Sequence, residues 1–248
     1  MRVRLIGIGP GGPDDLTVAA VRALESVDVF LVADKNRGVD DLVDVREDIL
    51  RRHTSGAHRV IVVPDPPRDR NPERYGDEVR DWHAARAAAY ESVLLEQVRD
   101  DETAGFLVWG DPGLYDSTIR IVDHILERGR VRLDYDVLPG VSSVQMLAAR
   151  HRLVLNTVGS SILVTTGRRL GTGIEAGADN IVVVLDGGLA CSELRGQWNI
   201  WWGANLGTDD EELVAGPLTD VLPSIRAARI RAKNARGWVM DTYLLRRC

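Results

Sequence analysis

An α/β fold of two domains is the prediction, and three observations make it. Apolar runs rich in β-branched residues recur along the 248-residue chain. Segments with helical spacing separate those runs, and three of the runs break abruptly into Gly/Pro loops. Strands of a parallel sheet are covered on both faces and so read as unbroken apolar runs, with crossover helices between them.

The first run, residues 3–8, leads into Gly7-Ile8-Gly9-Pro10-Gly11-Gly12-Pro13-Asp14-Asp15-Leu16-Thr17. A helix is predicted over 15–25, with Asp14 or Asp15 as its N-cap. Strands at 27–32 and 59–63 follow, with a helix over 40–52 between them. The stretch 64–76 carries four prolines and reads as a surface connection, or alternatively as a lid over a site. A long helix over 77–99 places Val79, Trp82, Ala85 and Ala89 on one stripe, as a core face requires.

The run 105–109 ends in Gly110-Asp111-Pro112-Gly113-Leu114-Tyr115-Asp116-Ser117 and enters a helix over 117–127. Glycine lets a backbone approach a ligand closely and proline removes a donor, so this loop suits a bound small molecule at a sheet edge. A plain strand-to-helix turn has the same composition. The run 133–138 ends likewise in Pro139-Gly140-Val141-Ser142-Ser143 and enters another helix. There the two serines either cap the helix or meet a ligand.

The turn-prone segment 155–160 is read as the boundary between a domain at 1–156 and a second at 157–248. In the second, strands are predicted at 161–166, 180–185 and 197–202, a helix at 218–232 and a closing strand at 238–245.

With 44% hydrophobic and 27% charged residues, composition is that of a folded soluble chain. A net charge of −6 argues against general nucleic-acid binding, which needs a basic face. The apolar runs are too short for a membrane span. Cys191 and Cys248 alone give neither a disulfide framework nor a cysteine metal site, and a reducing cytoplasm is expected.

Gly7, Gly9 and Gly12 satisfy a dinucleotide fingerprint, with Asp28 or Asp34 as the ribose acid, so an NAD-dependent oxidoreductase is a rival reading. Pro10 and Pro13 fit poorly with a helix whose first amides must all face a pyrophosphate. No Gly-Lys-Ser/Thr follows, which excludes a Walker loop. Three Gly/Pro loops at three strand ends favour one shared ligand crevice.

Taken together, Gly7-Ile8-Gly9-Pro10-Gly11 with Leu16-Thr17, Gly110-Asp111-Pro112-Gly113-Leu114-Tyr115 and Pro139-Gly140-Val141-Ser142-Ser143 resemble the tetrapyrrole methylase family. These are S-adenosylmethionine methyltransferases of sirohaem and cobalamin synthesis. The likeness spans nearly the whole chain. Tyr115-Asp116-Ser117-Thr118, Thr165-Thr166-Gly167-Arg168-Arg169 and the closing 237–245 segment resemble the branch that methylates precorrin-5 at ring carbon 1 and releases acetate. Another ring carbon, without deacylation, is the alternative inside the family. A regulatory module that binds the cofactor without turnover is the non-enzymatic one.

The resemblance implies two α/β domains with S-adenosyl-L-methionine between them, a homodimer, and a polycarboxylate tetrapyrrole as substrate. Carried over by position, Pro10, Gly110, Asp111, Gly113, Leu114, Ser142 and Ser143 would hold the cofactor. Leu185, Asp186 and Leu206 would form its adenine side. Asp186 departs from the family pattern, which often has methionine there.

Tyr115, Asp116 and Asp34 are the candidate catalytic residues for deacylation, which needs a general base and oxyanion stabilisation. Lys35, Arg168 and Arg169 are the candidate clamps for substrate carboxylates. Each also has a plainer reading: Tyr115 buried under its loop, Asp116 capping a helix, the cations solvated. Trp198, Trp201 and Trp202 read as packing before they read as a stacking surface.

Overall fold

The computed structural model describes residues 1–34, 40–67 and 75–248. The chain divides into two compact units, one of Met1–Gly9 with Pro13–Val141, the other of Pro10–Gly12 with Ser142–Cys248.

In the first unit run β1 (Arg2–Gly7), α1 (Val18–Leu24), β2 (Val29–Asp34), α2 (Asp40–His53), β3 (Arg59–Pro64), α3 (Tyr75–Gln97), β4 (Thr103–Val108), α4 (Thr118–Arg128) and β5 (Asp134–Leu138). Its sheet has the order β3-β2-β4-β1-β5, and every pairing is parallel. Alternation along the strands feeds two cores. Val3, Leu5, Val29, Leu31 and Phe106 face α3 and α4, against Tyr90, Leu94, Ile121 and Ile125. Ile6, Phe30 and Leu107 face the other way, against Ala20, Leu24, Ile49 and Leu50 of α1 and α2.

The second unit contains α5 (Ser143–Arg150), β6 (Leu163–Thr166), α6 (Leu170–Glu175), β7 (Asn180–Val184), β8 (Trp198–Ala204), β9 (Glu212–Pro217), α7 (Leu218–Arg236) and β10 (Asp241–Arg247). The sheet order is β6-β7-β10-β8-β9, with β6 parallel to β7 and the remaining pairs antiparallel. Trp198, Ile200, Trp202, Tyr243 and Leu245 pack there against Ile225, Ala228 and Ala232 of α7. Gly237, at φ 72°, ends α7 in the left-handed conformation, its N–H reaching the Lys233 carbonyl at 2.7 Å.

Four expectations need correction. The division falls after Val141, ahead of α5, because α5 packs on β8 and β10 of the second sheet; it does not fall at 156/157. The first helix starts at Val18 with Thr17 as N-cap, since the Thr17 hydroxyl accepts the Ala20 N–H at 3.0 Å; Asp14 and Asp15 lie short of it. The fully buried stripe of α3 is Ala87, Tyr90 and Leu94, with Ala89 partly buried against the same core, while Ala85 is exposed. Strand β9 and helix α6 were not anticipated; β9 only half buries alternate residues, and α6 is six residues long. Much of the 64–76 stretch, with Lys35, lies outside the described residues. No helix among the described residues is long and apolar enough to cross a membrane.

Candidate functional site

β1 and β4 are neighbours whose following helices cover opposite faces, α1 on one and α4 on the other. Such divergence marks the carboxyl edge at which α/β sheets bind ligands. The loops beyond β1 and β4 stay joined: Gly110 N–H donates to the Gly9 carbonyl at 2.8 Å, and Ile8 N–H donates to the Val108 carbonyl at 2.9 Å. Both bridging glycines have positive φ, 78° at Gly9 and 70° at Gly110.

Gly140 closes the arrangement from β5. A Cβ there would stand 2.1 Å from the Gly110 carbonyl oxygen and 2.9 Å from the Gly7 Cα. A Cβ on Gly7 would stand 2.5 Å from the Gly140 nitrogen. Three backbones therefore meet with no room for a side chain, which is what three separate Gly/Pro loops encode.

Asp111 fastens this contact. Its Oδ1 accepts the Gly113 N–H at 2.8 Å and its Oδ2 accepts the Gly140 N–H at 2.9 Å. The Thr17 hydroxyl donates to the Pro139 carbonyl at 3.3 Å, linking the first loop to the third. His53 Nε2 lies 2.8 Å from the Pro13 carbonyl, which can only accept, so that nitrogen carries the proton.

Past Asp111 the loop presents Leu114 half-buried, then Tyr115 47% exposed at φ 54°. A bulky residue held in the left-handed region is strained, and such strain clusters at functional sites. Tyr115 is thus not buried under the loop. Asp116 Oδ1 accepts the Thr118 N–H at 2.6 Å, serving the start of α4 where Ser117 makes no capping bond. Asp34 ends β2 at the same sheet edge, paired in register with Pro64.

In the second unit, β6, β7 and β8 run in one direction and bring their carboxyl ends to one edge, beside the start of β10. That edge carries Arg168 and Arg169, both exposed, on a short 3-10 turn after β6. It also carries Leu185, 66% exposed at φ 53°, an apolar side chain turned outward. Asn205 N–H donates to the Met240 carbonyl at 2.9 Å and its Oδ1 accepts the Met240 N–H at 3.1 Å. Leu206 is buried against Gly203.

Asp186 is turned inward. Its Oδ2 accepts the Tyr243 hydroxyl at 2.5 Å and the Ala190 N–H at 2.7 Å, and its Oδ1 accepts the Gly188 N–H at 3.2 Å. The carboxylate shapes the turn that exposes Leu185. Gly167 abuts it so closely that a Cβ would stand 2.4 Å from Asp186 Oδ1.

Behind lies a buried polar network. Arg229 Nε pairs with Asp241 Oδ2 at 3.1 Å, and Trp202 Nε1 donates to the same oxygen at 3.2 Å. Burial nevertheless outweighs the Arg229 attraction and raises the Asp241 pKa to about 6. Burial also pushes the Cys191 thiol up to about 12 and raises the Tyr243 phenol.

At α5, Ser142 accepts the Gln145 N–H at 3.3 Å while the Gln145 side chain accepts the Ser142 N–H at 2.8 Å, a reciprocal capping box. Ser143 Oγ accepts from Thr242 Oγ1 at 2.9 Å. Arg150 pairs with Glu211, Trp198 and Trp202 are core residues, and His124 sits on the surface beside Glu127. The fingerprint reading fails on geometry: α1 begins six residues beyond Gly12, so no glycine of that loop opens a helix.

Sequence reasoning missed Gly140 as a packing partner, and it missed the cation–aromatic cluster of Arg86, Trp82 and Tyr90 on α3, with Arg46 within electrostatic reach. Those residues are scattered over helical patterns and carry no local motif. Among the described residues, no three His, Cys, Asp or Glu side chains gather as a metal centre.

A three-loop glycine contact at the switch point of a parallel sheet, with a second, mixed sheet following it, defines a class. Residues 2–222 match the family of Tetrapyrrole (Corrin/Porphyrin) Methylases, and the chain belongs to that family. Within it, the chain is similar to precorrin-6A synthase [deacetylating] of Sinorhizobium sp, 42% identical with 99% of this chain and 95% of that protein covered. A crystal structure of a cobalamin synthesis related protein, CobF, from Corynebacterium diphtheriae superposes with TM-score 0.85 at 36% identity, covering 99% of this chain and 98% of that one. The fold is shared by uroporphyrin-III C-methyl transferase from Thermus thermophilus in complex with S-adenosyl homocysteine. There the TM-score is 0.58 at 19% identity, covering 98% and 92% of the two chains.

Proposed function

We propose that the chain methylates precorrin-5 at ring carbon 1 and releases its two-carbon acyl fragment as acetate, giving precorrin-6A in cobalamin synthesis. The observation that carries this reading is the likeness, over 99% of the chain, to a precorrin-6A synthase. The methyl donor is S-adenosyl-L-methionine, and the working form is a cytoplasmic homodimer.

The residues fit such a cofactor. Gly110, Gly113 and Leu114 offer backbone at a ligand edge, and Leu185 offers an outward apolar side chain suited to an adenine face. Pro10 and Leu206 line the same cofactor in this reading. Ser142 and Ser143 already have side-chain partners, so their contribution is backbone. Asp111 and Asp186 act by shaping loops, since their carboxylates are engaged there.

When bound, the cofactor supplies an activated methyl sulfonium. The chain's task is then alignment of the macrocycle carbon and exclusion of water. Deacylation asks more of side chains. Tyr115 and Asp116 stand on the loop nearest the edge, Asp116 as the base that takes a proton from water and Tyr115 as a donor to the acyl oxygen. Asp34, which ends β2, is the alternative base. Arg168, Arg169 and Lys35 bind carboxylates of the substrate.

Calorimetric titration with S-adenosylhomocysteine, with NAD as control, is the first test. Binding of the homocysteine alone is expected. Mass analysis after incubation with precorrin-5 and methyl donor then decides the reaction: a methyl gained with the acyl group lost upholds it. A methyl gained with the acyl group retained assigns another C-methylation.

A further inference from the structure

Hydrolytic removal of an acyl group passes through a tetrahedral oxyanion, and Arg46 brings a cation to the strand that leads into the loop of the candidate base. This half-buried residue of α2 points Nε at the Leu107 carbonyl, 3.4 Å away. Leu107 is the penultimate residue of β4, the strand that delivers the loop bearing Tyr115 and Asp116. The Arg46 guanidinium lies within electrostatic reach of Asp116, Tyr90 and Arg86.

Arg86, a neighbour, is held from several sides. Arg86 lies 4.7 Å from the Trp82 ring centroid and 5.6 Å from that of Tyr90. It pairs with Asp65 at 2.9 Å and donates to the Tyr90 hydroxyl at 3.2 Å. Arg86 is thus a braced cation at the carboxyl end of β3, and its charge further loads Arg46. Burial lowers the Arg46 pKa from the ordinary arginine value and Arg86 adds to that, against Tyr90 and Asp116. A desolvated cation is costly, and its place at a ligand edge beside a candidate base is a functional pattern.

We infer that Arg46 is the cation that holds the oxyanion formed during deacylation, acting beside Asp116; the inference rests on the proposed precorrin-5 reaction. Water adds its oxygen to the acyl carbon while Asp116 takes one of its protons. The carbonyl π pair moves onto oxygen, facing the guanidinium. That pair then reforms the carbonyl as the bond from acyl carbon to macrocycle breaks, its electrons remaining on the macrocycle. Those electrons balance the methyl carbon, which arrives without a pair. The acyl fragment leaves as acetic acid and ionises.

Arg46→Gln and Arg46→Lys test this, with wild type, precorrin-5 and methyl donor, reading acetate release, precorrin KM and S-adenosylhomocysteine affinity. Arg46→Gln is expected to keep the affinity and a KM within a few-fold while kcat for acetate release falls about 100-fold. Arg46→Lys, which keeps the charge without the forked donors, should fall about tenfold. Unchanged acetate release in either variant overturns the inference, as does a loss confined to KM. If Arg46→Gln loses homocysteine affinity, and with it the fold, the lysine variant decides alone by the same criterion. A wild type that binds S-adenosylhomocysteine but leaves precorrin-5 intact overturns the substrate reading itself, and this inference with it.

Discussion

Asp111 holds two loops together through its carboxylate alone. Both of its carboxylate oxygens hold backbone N–H groups, one in its own loop and one across the gap at Gly140. Hydrogen bonds to a charged group contribute roughly 1.5–3 kcal/mol each, so Asp111→Ala removes the clasp between two of the three loops. The expected outcome is at least a tenfold loss of S-adenosylhomocysteine affinity by calorimetry, with loss of turnover. Unchanged affinity would separate this loop from the cofactor site. The motif was legible in sequence as a unit, Gly110 to Tyr115, but the carboxylate's partner was not. Gly140 lies 29 residues away, and only the parallel register of β4, β1 and β5 brings it into range. Asp186 carries the same lesson. A carboxylate at a strand end read as a ligand contact, yet the Tyr243 hydroxyl and two backbone N–H groups draw it inward.

Among the elements, helix starts separate what local sequence decides from what tertiary contact decides. Ser142 caps α5 through the local Ser-x-x-Gln box, visible in the sequence as a serine pair followed by Gln145. Ser142→Ala should cost about 1 kcal/mol, read as a lowered urea midpoint at unchanged slope. If the homocysteine affinity falls more than that stability loss accounts for, Ser142 also contacts the cofactor. Thr17 caps α1 locally through the Ala20 N–H and is also tied to the third loop, its hydroxyl donating to the Pro139 carbonyl. The stripe of α3 was misplaced because alanines fill both faces of its middle turns, leaving hydrophobic period a poor guide to register. Strand β9 hides for the opposite reason, as its residues alternate only between half-buried and exposed.

At the scale of the whole molecule, alternation of apolar runs with helical segments was enough to foretell a parallel first sheet. It did not foretell that the second sheet turns antiparallel about β10, because strand direction there depends on pairings between segments far apart in sequence. That closing strand buries Asp241 against Arg229 and Trp202, with consequences for acid stability. The folded pKa of Asp241 is raised to about 6, so the folded state holds its proton at pH values where the unfolded chain has lost it. Stability from this group therefore rises as pH falls from above 6 toward 4, and is level outside that window. Glu102 and Glu212 act with opposite sign. The Arg99 backbone N–H lowers the first and Arg231 lowers the second, so their contributions are lost only as pH falls below the ordinary glutamate range. Asp241→Asn removes the titration but not the site. Wild-type stability relative to that variant is expected to rise by up to about 3 kcal/mol between pH 7 and pH 4, measured by urea denaturation across the range. Parallel profiles for the two proteins would mean that Arg229 holds Asp241 ionised throughout, and that the pair outweighs the cost of its burial.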